Sequence, residues 1–181
     1  MSDTTMNYDY KPFSAFAPYD GAIVGAMWIA SFLCFIGEFN APLLSFVAVA
    51  LGIGSVFVAY ARLRRFRDGV LNGRITFGRA MLYSVMVYFY AAVLMAVGQY
   101  VYFQFFDHGY LVNQYIQMLS VPEYAATVKN VYGIEAKQLV AILQTSLLDM
   151  RAIEIVFQFL SLNFFLSLVL SVPAGALARR G

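Results

Sequence analysis

The chain has 181 residues, 61% of them hydrophobic and only 12% charged, with a formal net charge of +2. A water-soluble domain carries roughly 25% charged residues, so this composition excludes a soluble globule. With a mean hydropathy of +0.70, the chain has room for membrane spans, loops and one small subdomain, but not for an independent soluble enzyme domain.

Residues 1–20 are polar and mildly acidic, setting Asp3, Asp9 and Asp20 against Lys11. A cleavable signal peptide needs a basic start followed directly by a short apolar core. This segment therefore reads as an uncleaved cytoplasmic tail, with Tyr8, Tyr10, Phe13, Phe16 and Tyr19 suited to headgroup depth.

Residues 21–61 read as a transmembrane hairpin. The uncharged runs 21–37 and 39–61 are near or above the roughly 20 apolar residues that cross a hydrocarbon core about 30 Å thick. In lipid each backbone N–H and C=O must be bonded internally, so such runs are helices. Asn40-Ala41-Pro42 makes the turn, with Pro42 as the first residue of the second helix. The lone cysteine, Cys34, lies in the first run, so no intrachain disulfide can form.

Residues 62–79, RLRRFRDGVLNGRITFGR, read as an Arg-rich cytoplasmic loop carrying Arg62, Arg64, Arg65, Arg67, Arg74 and Arg79. Asp68-Gly69 and Asn72-Gly73 are turn chemistry. The third span, residues 80–106, is long enough that it must tilt or project beyond the bilayer. Its far end is rich in interfacial aromatics: Tyr100, Tyr102, Phe103, Phe105 and Phe106.

Residues 107–154 read as an extracytoplasmic segment of two or three short amphipathic helices punctuated by Pro122 and Gly133. Leu111, Tyr115, Met118 and Leu119 share one face; Leu139, Ile142, Leu143 and Leu147 share another. Residues 155–178 form the fourth span, finishing with Pro173 and Gly175, and 179–181 are a basic cytoplasmic end. The expected fold is thus all-α: a polytopic membrane protein with four transmembrane helices and short amphipathic helices between the third and fourth. Lys and Arg collect on the cytoplasmic side of short loops, so both termini are expected inside.

No metal or cofactor constellation is present. The single histidine, His108, stands beside Asp107 with no second histidine or nearby thiol, and reads as a wet interfacial residue rather than a proton relay. Asp149 and Glu154 are the other conceivable acid-base pair. No nucleophile elbow or phosphate-cradling glycine loop appears, so no residue is assigned as catalytic.

The span cores are clean of the ionisable residues that mark intramembrane function, with Glu38 at the edge. Gly21 and Gly25, Ala48 and Gly52, Ala92 and Ala96, and Ser167 and Ser171 recur four apart, as close helix packing requires. Guanidinium groups match phosphate through a planar fork, and basic clusters beside a span attract anionic lipid. The six arginines are therefore the candidate contact surface for lipid phosphate or a partner; their alternative role is to set topology.

RFRDGVLNGRITFGRA, then an aromatic helix, then YFQFFDHGYL, resembles the bacterial membrane-protein family called domain of unknown function 4199. Arg67-Asp68-Gly69, Ile75-Thr76-Phe77-Gly78-Arg79-Ala80 and Phe105-Phe106-Asp107 carry the likeness, and the layout agrees over nearly the whole chain. The segment after the third span departs from the pattern, being much less charged than is usual in that family. The resemblance implies an inner-membrane protein of Gram-negative bacteria. It also implies a link to a family 2 membrane glycosyltransferase acting on polyprenyl phosphate.

The leading expectation is a non-enzymatic accessory protein that binds lipid or a partner in the cell inner membrane, with homo-oligomerisation open and no nucleic acid involved. The alternative is a small oligomeric transporter or lipid scramblase. Clustering of Gln99, Gln158, Ser161 and Asn163 on one inward face would favour it.

Overall fold

The computed structural model describes residues 11–146 and 150–180. Among these the fold is all-α: α1 (Lys11–Gly37), α2 (Leu43–Val70), α3 (Phe77–Tyr102), α4 (Tyr110–Leu119), α5 (Pro122–Tyr132), α6 (Ala136–Ser146) and α7 (Ala152–Ala178). The segments Phe13–Gly37, Leu43–Val70, Phe77–Asp107 and Ala152–Ala178 are long and apolar enough to cross a membrane. The chain divides into two compact units, residues 99–158 forming the second.

Two helix boundaries differ most from the sequence reading. α1 starts at Lys11, inside the expected tail. Its Phe13 is a core residue rather than a headgroup anchor, 1% exposed and packed on Phe66 at 5.2 Å and Tyr83 at 5.9 Å between ring centres. α2 continues to Val70, so Arg62, Arg64, Arg65 and Arg67 stand on a helix and Asp68-Gly69 is no turn. Charge ends an apolar run but need not end a helix, whose backbone bonds are made either way. Chain reversal falls later, at Asn72 and Gly73, with φ of 53° and 80°.

In the first unit, α3 is the most enclosed span: 44% of its apolar stretch is buried, against 28% for α1 and 17% for α2 and α7. It therefore forms the centre of this unit. The core joins Ala17 and Val24 of α1, Ala59, Leu63 and Phe66 of α2, Tyr83, Val87 and Ala91 of α3, and Ala174 and Ala178 of α7. Stacking of Phe66 on Tyr83, 4.1 Å apart and 9° from parallel, ties α2 to α3.

Close approach of α1 to α3 is made by glycine. A Cβ at Gly21 would lie 2.7 Å from the Val87 carbonyl oxygen, and one at Gly25 would lie 3.1 Å from the Ala91 Cα. α1 meets α2 through polar links instead: Trp28 Nε1 donates to Ser55 Oγ at 2.8 Å, and Ser31 Oγ donates to the Ala48 carbonyl at 2.8 Å. Buried hydroxyls on α7 bond one turn back along their own helix, Ser171 to the Ser167 carbonyl and Ser167 to that of Asn163.

In the second unit the end of α3 opens into a π-helical turn, Phe103–Asp107, followed by left-handed His108 and Gly109. Asp107 accepts the backbone N–H groups of Gly109 (3.0 Å) and Leu111 (3.1 Å), supplying acceptors to the start of α4. α4, α5 and α6 pack on one another. Leu111 and Leu119 are buried, with Tyr115 and Met118 half-buried beside them. On α6 Leu139 and Leu143 are half-buried and Ile142 is 53% exposed, while Leu147 lies outside the described residues.

Gly21→Ala is expected to lower stability by about 1–3 kcal/mol, the scale of inserting a methyl into a closed contact. Thermal unfolding of the detergent-solubilised protein checks this, and an unchanged midpoint would contradict the close α1–α3 approach.

Candidate functional site

Helical rotation sorts the arginines that the sequence leaves as one cluster. Ala59, Leu63, Phe66 and Val70 recur at helical spacing through them and face the core. That places Arg64 and Arg65 outward and exposed, and brings Arg62 and Arg67 to the edges of the buried face. The same apolar spacing is the sequence signal that α2 runs on past Ala61.

Arg67 is only 2% exposed and is not a free lipid contact. Its Nε donates to Asp68 Oδ1 at 2.7 Å and its Nη2 to Asp68 Oδ2 at 3.1 Å. Its Nη1 donates to the Ala178 carbonyl at 3.0 Å, satisfying one of the orphan acceptors at the end of α7. Beside this contact, Ile75 and Arg180 exchange two backbone hydrogen bonds of 3.1 Å. The loop after α2 and the end of α7 are thereby stapled, and Arg74, Arg179 and Arg180 are brought to one surface, all exposed. Arg79, in the first turn of α3, is exposed too.

Arg62 is turned to a different task. It donates from Nε to Asp20 Oδ1 at 2.6 Å, and its guanidinium lies 5.2 Å from the Tyr19 ring centre. The other Asp20 oxygen accepts the Tyr83 hydroxyl at 2.6 Å. Asp20, 3% exposed, thus joins α1 to α2 and α3. Sequence reasoning leaves it in a polar tail, because its partners lie 42 and 63 residues away. A buried carboxylate needs such partners, and removing one leaves an uncompensated charge.

The other candidate groups do not assemble. Asp107 is committed to backbone N–H groups, and His108 is exposed with Nδ1 against the Phe106 carbonyl. Glu154 pairs with Arg151 at 2.7 Å and caps α7, while Asp149 lies outside the described residues. Of the four residues proposed for a polar path, Gln99 is buried and Asn163 half-buried, but Gln158 and Ser161 are exposed.

The remaining feature of chemical interest is an open hollow lined by Ala61, Arg64, Arg65, Asp68 and Gly69 of α2. It combines two exposed guanidinium groups with a carboxylate that is 48% exposed and held from behind by Arg67. Such a surface can hold a phosphate through charge-assisted hydrogen bonds.

Two stability measurements separate these roles. Arg67→Gln should cost about 1–3 kcal/mol, since it orphans a carbonyl and loses a charged donor, whereas Arg64→Gln should stay within about 0.5 kcal/mol. Asp20→Asn should cost about 3 kcal/mol, and the double replacement Asp20→Leu with Arg62→Leu less than the sum of its single changes. Chemical or thermal unfolding in a fixed detergent reads both, and equal losses at Arg64 and Arg67 would refute the sorting.

No curated protein and no solved structure matches the chain. A family model does match, over residues 19–180, with the description "Protein of unknown function (DUF4199)". That match takes in all four apolar spans from Tyr19 onward, the arginine segment and the stapled C-terminal end, and the chain belongs to this family.

Proposed function

We propose that the protein is a non-enzymatic accessory protein of a bacterial inner membrane whose arginine end holds lipid phosphate. In this reading it serves polyprenyl-phosphate sugar transfer beside a membrane glycosyltransferase. The observation that carries the lipid part is the outward pair Arg64 and Arg65, exposed on a rigid helix just beyond the end of an uncharged run. Arg74, Arg179 and Arg180 extend the same basic end of the first unit through the Ile75–Arg180 bridge. The family resemblance supports the glycosyltransferase link.

Orientation follows from the same arginines. The start of α1 packs on the end of α2 through Phe13 and Phe66, and the end of α7 is held by Arg67. The start of α1, the end of α7 and the arginines of residues 62–79 and 179–180 therefore gather at one end of the first unit, which we assign to the cytoplasm by the positive-inside rule. There the arginines meet anionic headgroups, each contributing about 1 kcal/mol near the surface.

Arg64→Gln combined with Arg65→Gln should reduce retention of phospholipid through its headgroup phosphate by about tenfold or more at low salt, with insertion and unfolding midpoint preserved. Lipid carried through purification, quantified by mass spectrometry, gives the first readout. Unchanged retention would remove the lipid-phosphate reading. Capture of the tagged protein from its native membrane tests the partner: a stoichiometric glycosyltransferase is expected, and a homo-oligomer carrying only lipid would sink that part.

A further inference from the structure

We infer that the hollow on α2 is a site for one lipid headgroup bearing a phosphate and a primary ammonium together, the phosphoethanolamine class. The inference rests on the proposed reading of Arg64 and Arg65 as phosphate contacts and deepens it by naming the headgroup.

Charge pattern is the first ground. The hollow is not uniformly basic: Asp68 lines it between the two arginines and one helical turn beyond Arg64. A purely anionic headgroup would satisfy the guanidinium groups but would meet a carboxylate of like sign. A headgroup with a primary ammonium answers both charges, phosphate on Arg64 and Arg65, N–H donors on Asp68. A quaternary ammonium carries no N–H and cannot make the second contact.

Fixity is the second ground. Asp68 cannot easily turn away, because both of its oxygens accept from Arg67, and Arg67 is itself anchored on the Ala178 carbonyl. A carboxylate has about four acceptor positions, so each oxygen keeps capacity for a further donor. The acceptor is thus held in place before a ligand arrives, which lowers the ordering cost of binding.

Room is the third ground. Gly69 lies within α2, where glycine is a poor helix former. Its backbone does not need glycine, since its φ is not among the positive values. Nor does packing need it: a Cβ there would meet nothing within 4 Å. Ala61, the other small residue of the hollow, lies two turns earlier on the same outward face and ends the uncharged run. Small residues at both ends of the hollow leave space for a headgroup at the depth where headgroups lie.

The test uses the intact, detergent-solubilised protein and native mass spectrometry. Phosphatidylethanolamine, phosphatidylglycerol and phosphatidylcholine with identical acyl chains compete for binding. Phosphatidylethanolamine should be retained about fivefold over phosphatidylcholine, the scale of one headgroup charge contact. Gly69→Leu fills the hollow without changing any charge and should abolish that preference while helicity and elution stay unchanged. Asp68→Asn should lose the same preference and raise phosphatidylglycerol retention. Persistence of the preference in Gly69→Leu would overturn the site. Stronger retention of phosphatidylglycerol than phosphatidylethanolamine by the wild type, lost in Arg64→Gln, would overturn the ammonium contact and leave the phosphate reading standing. Indifference to all three lipids and to Arg64→Gln would overturn both.

Discussion

The rotation of α2 is the constraint on which the arginine end depends. A helix advances about 100° per residue, so the four arginines from Arg62 to Arg67 cannot all face water or all face the core. Arg62 and Arg67 fall about 140° apart, one on each edge of the arc occupied by Ala59, Leu63, Phe66 and Val70. Burying that apolar arc takes both guanidinium groups into the protein. Each then requires acceptors, because an unpaired buried charge is far costlier than a lost surface contact. Asp20 supplies them on one edge; Asp68 and the Ala178 carbonyl supply them on the other. Those partners tie α2 to α1 and α7 and, through the Asp20–Tyr83 hydrogen bond, to α3.

The same constraint links a close α1–α3 contact to a buried carboxylate. Asp20 directly precedes Gly21, and the absence of a side chain at Gly21 lets α1 approach the Val87 carbonyl. That approach brings Asp20 to the Tyr83 hydroxyl of α3. Lipid supplies little drive for helices to associate, since tails are as apolar as Leu, so packing and interhelical hydrogen bonds must do so. The pairing of a glycine contact with a hydrogen-bonded ion pair provides both at one level of the bundle. Such pairs are better understood as fixing register than as adding net stability.

Span number, order and the turn at Asn72-Gly73 were legible in the sequence, because lipid leaves a helix as the only outcome for long uncharged runs. The Gly21 and Gly25 spacing was also legible as a packing feature. What the sequence obscured has one physical origin: the change from apolar to charged residues marks where lipid contact ends, and that is a different place from where the helix ends. Judged by charge alone, Arg62 to Val70 therefore resembles a loop and Asp68-Gly69 a turn, although glycine permits a left-handed backbone without imposing it. Phe13 and Asp20 escape the sequence for the converse reason. Their burial is decided by Phe66, Arg62 and Tyr83, and no local pattern around residues 13–20 reports on them. The sorting of six arginines into structural and outward groups required only the helical phase, which Leu63, Phe66 and Val70 display once the helix is allowed to continue.

Carrying Arg64 and Arg65 on a helix rather than a loop alters what they can recognise. On a loop, six arginines would form a mobile cloud of positive charge that discriminates among anions weakly, by charge alone. On α2 the two outward guanidinium groups keep a fixed separation, with a carboxylate between them that the core holds in place through Arg67. Selectivity requires that a wrong ligand meet something unfavourable, and a fixed Asp68 is such an element against headgroups of negative charge only. In the proposed site Arg67 would act from within the core: without touching a ligand, it fixes where Asp68 stands.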